Sequence, residues 1–113
     1  MEVIRMSDVE AFRNHRGVLA KKLFSHNNAS VINLILQPGE EIAEHSVPVD
    51  VFFYIVVGKG TIRIGEDEAV VGEKDIIVCP ANTVMALRAD QNVRFEFLNV
   101  KTPSLNSAEK GRP

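Results

Sequence analysis

Apolar residues along this chain come in short runs of four to eight, separated by clusters of Gly, Pro, Asn or Asp. That rhythm belongs to β-strands, in which successive side chains point to opposite faces. It predicts strands at Glu2 to Met6, Val18 to Phe24, Ser30 to Leu36, Ile42 to Val47, Val51 to Val57, Gly60 to Ile64, Glu68 to Val71, Asp75 to Cys79, Thr83 to Leu87 and Val93 to Val100. Ten short strands with turn signals between them point to an all-β sandwich or barrel.

One segment departs from the rhythm. Ser7 stands where it caps a short helical turn through Asp8, Val9 and Glu10, with Glu10 at the reciprocal capping-box position and Phe12 turned inward. Among the connections, Ser25-His26-Asn27-Asn28 predicts a hairpin, because Asn tolerates the left-handed backbone of tight turns. Gly58-Lys59-Gly60 and Gly65-Glu66-Asp67 predict two more. From Thr102 onward the pattern stops, with only Leu105 to bury among scattered Pro, Ser, Gly and charges. Residues 102–113 are therefore expected to be a flexible tail behind one domain at 1–101.

Length and composition narrow the reading. A chain of 113 residues has room for one core, and 45% apolar with 25% charged residues excludes a disordered chain or a coiled coil. The formal charge is −2 and no basic stripe tracks along the sequence, so no nucleic-acid partner is expected. Cys79 is the sole cysteine, which excludes an intrachain disulfide framework or a Cys-rich zinc site and fits a reducing compartment. The longest apolar run, Val51 to Val57, has seven residues, whereas a membrane-spanning helix needs about 20. With no basic start before an apolar region, the expectation is a cytoplasmic protein with no membrane partner.

Two segments resemble the paired signature of the cupin superfamily. The first is Pro38-Gly39, then His45, then Phe53-Tyr54-Ile55-Val56-Val57-Gly58-Lys59-Gly60; the second runs Asp75-Ile76-Ile77-Val78-Cys79-Pro80-Ala81-Asn82-Thr83-Val84-Met85. The resemblance covers about residues 17 to 101 and implies a double-stranded β-helix, a jelly-roll barrel. Its turns have physical reasons. Gly39 reverses the chain after Pro38, Gly58 and Gly60 stand where a tight hairpin asks for positive φ, and Pro80 ends a strand by removing a ladder donor. Asn82 stands where the family usually has Gly, and Asn is well suited among non-Gly residues to a left-handed backbone.

The metal chemistry that the resemblance implies is mostly missing. The family places two His and a Glu in the first motif and a third His in the second; here His45 matches the first, while Val47, Val51 and Met85 occupy the other positions. Valine donates nothing to an ion, and a Met thioether suits Cu(I) better than the harder ions. No family-type metal site and no cofactor is expected. Asp50, Cys79 and Met85 are the candidates to stand in as donors beside His45; read without a metal, Asp50 is a turn residue after Pro48 and Cys79 a small core residue. His15 and His26 read as surface residues in turns.

If the resemblance sets the facing, His45, Val47, Val51, Phe53, Ile55, Met85 and Leu87 share the barrel interior, and Phe52, Tyr54 and Val56 face outward. His45, Val47, Val51, Phe53 and Met85 then form a candidate ligand pocket, apolar with one polar handle. The outward apolar row needs a cover, and small cupins commonly supply one by forming homodimers through a sheet face; the alternative is cover by Glu2 to Met6 with Val9 or Phe12. The functional expectation is a metal-free small-molecule-binding module or scaffold. The alternative is a metal-dependent enzyme, dioxygenase-, isomerase- or decarboxylase-like, with non-standard ligands. No catalytic residue is assigned.

Overall fold

The structure is a computed structural model that describes residues 1–105. Among these residues a 3-10 turn at Met6–Asp8 precedes nine strands: β1 Phe12–Arg13, β2 Leu19–His26, β3 Ala29–Leu36, β4 Glu41–His45, β5 Asp50–Ile64, β6 Asp67–Gly72, β7 Ile76–Cys79, β8 Met85–Ala89 and β9 Phe95–Thr102. They run in the order β1-β2-β3-β9-β5-β8-β4, with β6 and β7 also paired to β5 and all pairings antiparallel.

β5 holds the two halves of the barrel together. Its first half, Asp50 to Gly58, pairs with β9, and its second, Gly60 to Ile64, pairs with β8. The strand bends between them at a bulge near Ile55 and Val57 and at Gly58, whose φ is +76°. Gly58-Lys59-Gly60 is therefore a corner within one strand of 15 residues and not a hairpin. A bulge with a left-handed residue turns a strand from one sheet into the next without ending it. Gly60 does not need positive φ; a Cβ there would lie 2.4 Å from the Arg88 carbonyl oxygen and 2.5 Å from the Phe95 ring.

Other turns follow their residues. Gly65-Glu66 joins β5 to β6 with Gly65 at φ +60°, and Asn27-Asn28 joins β2 to β3. Left-handed non-glycine positions fall at Lys74 and at Asn82, with φ +62° at Asn82, and not in the Asn27-Asn28 turn. Asn82 N–H donates to the Val47 carbonyl at 2.8 Å, tying the two signature segments together.

The N-terminus departs from its alternation. Glu2 to Met6 forms no strand, and Met1 to Arg5 is exposed. Ser7 does not cap the turn: the cap position is Arg5, with no side-chain hydrogen bond. Phe12 lies in β1, exposed, beside Lys22. Alternation alone cannot make a strand without an edge to pair with, and Lys21 instead reaches across to the Met6 carbonyl at 2.8 Å. At the other end, Thr102 closes β9 and Ser104 is buried, its N–H bonded to the Asn27 carbonyl at 3.2 Å. Thr102 to Leu105 is thus docked against the barrel, and the rest of the expected tail lies outside the described residues.

The core lies inside the cylinder. Val51, Phe53 and Ile55 alternate inward along β5 and meet Phe95 and Phe97 of β9, with Phe53 and Phe97 edge to face at 5.6 Å. Aromatic pairs in this arrangement add to the stabilisation from buried area.

Candidate ligand pocket

The core does not close completely. A cavity of about 440 Å3 opens at one end of the barrel, with an apolar floor that includes Leu34, Ile42, Val47, Phe53, Met85 and Leu87. His45, Val47, Phe53 and Met85 come together here, and His45 faces Met85 directly across β4 and β8. Val51 does not join them: it packs in the core, cross-strand from Cys79, and adds no surface to the cavity.

His45 is half-buried. Its Nδ1 lies 2.9 Å from the Ala43 carbonyl oxygen, which can only accept, so Nδ1 carries the proton and the neutral ring keeps Nε2 as an acceptor. Burial lowers its pKa, the bond to Ala43 opposes that, and the charges of Arg16, Lys101 and His15 lower it further.

The remaining candidate donors are occupied elsewhere. Asp50 Oδ1 accepts from Ala81 N–H at 2.9 Å, which fastens the turn before Asn82. The Cys79 thiol is buried, pointing to the carbonyls of Pro80 and Thr83 at 3.7 Å, and burial with the nearby Asp50 charge pushes its pKa up. A thiol in that state is a poor ligand and a poor nucleophile. Glu44 pairs with Arg63. Among the described residues no three His, Cys, Asp or Glu converge as an ion would require. The family-type metal does not fit this donor set, because its positions hold Val47, Val51 and Met85.

Several residues of the cavity escaped the sequence reading. Arg13, His15, Arg16, Lys22 and Lys101 stand around it with His45, and among the described residues no Asp or Glu lines it. His15 is exposed, as its turn suggested, yet it borders the mouth. Lys101 is a half-buried amine whose pKa burial lowers, with Arg16 adding to the effect, and it donates to Asn99 Oδ1 at 2.9 Å. Its signal was available: Phe95, Phe97, Asn99 and Lys101 alternate along β9, so the strand period carries Lys101 to the inner face. Nothing in the sequence pattern announced Arg16, which is brought to the mouth by the loop between β1 and β2.

The profile of the cupin domain matches residues 33–101, more than half of the chain. The chain belongs to the cupin family. Among curated proteins no significant match is found. Solved structures similar to this cupin include a conserved protein of unknown function from Streptococcus pyogenes, 28% identical over 80% of this chain and 78% of that one, with a TM-score of 0.69. KdgF from Halomonas sp. is 13% identical, with 92% and 94% covered and a TM-score of 0.84. A predicted oxalate decarboxylase from Thermotoga maritima is 23% identical, with 91% and 100% covered and a TM-score of 0.79. The last two likenesses establish the jelly-roll barrel and nothing about chemistry. Among the described residues of this cupin, no helix is long and apolar enough to cross a membrane.

Proposed function

We propose that this cupin is a small-molecule-binding module that works without a metal held in the family manner, taking its ligand into the cavity around His45, Val47, Phe53 and Met85. The supporting observation is the cavity itself. About 440 Å3 stays open where a packed scaffold would be filled, and Val47 and Met85 line it in place of ion ligands. An enzyme built on substitute ligands is disfavoured by a second observation, that Asp50 and Cys79 point into other bonds.

The module works as a homodimer in the cytoplasm. Phe52, Ile76 and Val78 form an outward apolar patch, 36%, 63% and 66% exposed, and neither the N-terminal segment nor Phe12 covers it. A patch of that kind favours burial against a second copy. A lone reduced cysteine suits the cytoplasm.

Two measurements on tag-free protein test the reading. Elemental analysis is expected to give iron, manganese, nickel and zinc well below stoichiometry; one full equivalent of any of them would overturn the metal-free reading. Thermal shift against a metabolite library is expected to find compounds that raise Tm, and Val47→Phe, which intrudes on the cavity, is expected to abolish the rise. A library without a single stabilising compound would favour the scaffold.

A further inference from the structure

The charge around the cavity is lopsided for a protein whose acids outnumber its bases. Among the described residues four Lys and Arg and two His border it, and no carboxylate does. Some of that charge is already answered: Arg13 donates to the Gly17 carbonyl at 2.6 Å and pairs with Glu40 at 3.5 Å, and Lys22 lies over the Phe12 ring at 5.6 Å. Lys101 and Arg16 are different. Among the described residues neither has a carboxylate partner, and the protein partner of the Lys101 amine is the neutral amide of Asn99. Even a half-buried ammonium without a counter-ion is costly, and an anion placed beside it recovers part of that cost.

Beneath these cations the walls are Leu34, Ile42, Phe53 and Leu87, which offer nothing to a polar body. Resting on the reading of this cavity as a ligand site, we infer that its ligand is a small organic carboxylate, with an apolar body on the floor and the carboxylate at Lys101 and Arg16. The backbone favours a carboxylate over a phosphate ester. Phosphates are usually cradled by unspent N–H groups of a loop or helix start. In the loop that carries Arg16 most of them are spent: Arg16 N–H and Val18 N–H both donate to Asn14 Oδ1, and Gly17 N–H donates to the Asn14 carbonyl. What this loop presents is a side chain on a pinned backbone.

Calorimetry with octanoate, 1-octanol and octyl phosphate on the full chain tests the assignment. Octanoate is expected to bind at least about tenfold more tightly than 1-octanol, the size of a charge-assisted hydrogen bond. Lys101→Met is expected to remove that advantage while leaving 1-octanol binding intact, and Arg16→Gln, on an exposed loop, to reduce it without touching the core. If 1-octanol binds as well as octanoate, the carboxylate assignment falls and the cavity reading stands. Octyl phosphate binding as tightly as octanoate, or an advantage for octanoate that survives both substitutions, overturns it too. Failure of both octanoate and 1-octanol to bind overturns the cavity reading with it.

Discussion

His45 is held below the ordinary imidazole pKa of about 6.5, first by burial and then by the charges of Arg16, Lys101 and His15. The unfolded chain therefore takes up a proton at His45 more readily than the native one does. Above about pH 6.5 both states are neutral there and the group is silent; as pH falls from that value towards the depressed native pKa, stability is lost. We expect His45 to titrate in NMR below an unfolded-peptide histidine. Urea midpoints compared at pH 7.5 and 5.5 should fall less for His45→Gln than for the wild type. Equal falls would show that His45 is not a source of acid sensitivity.

At the scale of elements, the corner in β5 carries the architecture. A Cβ on Gly58 would sit 1.8 Å from the Arg94 carbonyl oxygen, at a φ of +76°. Gly17 has an equally left-handed φ of +80° with nothing within 4 Å of a Cβ. The pair separates conformational strain from collision. Gly17→Ala should cost about 1 kcal/mol, the left-handed penalty alone. Gly58→Ala should cost distinctly more, because β9 must move away from the strand that joins both sheets. Urea unfolding of the two variants measures the difference, and equal costs would mean that the corner relaxes freely.

For the whole molecule, the outward patch on β5 and β7 makes the oligomeric state measurable. Light scattering on the eluting protein is expected to give twice the 12.5 kDa chain mass, and Ile76→Lys with Val78→Lys is expected to give the monomer with the fold retained. A wild-type monomer at micromolar concentration would refute the dimer. The pocket should be insensitive to this change, since its lining includes neither residue.

Much of the barrel was legible in one dimension, because a strand's period of two is local and turn residues act within a few positions. Val51, Phe53 and Ile55 read as inward residues and are buried; Gly58 and Asn82 read as left-handed and are, while Gly60, read the same way, is not. That Val47 and Val51 offer no donor atom and Met85 only a thioether is fixed by the side chains themselves, whatever the fold. Whether Glu2 to Met6 pairs, whether Gly58-Lys59-Gly60 reverses the chain or only bends it, and which cations meet His45 depended on residues far away in sequence. Strand pairing needs a partner edge, and a cavity's charge is a sum over loops and strands that meet only when the sheet curls. Tertiary structure alone brought Arg16 and Lys101 to one mouth.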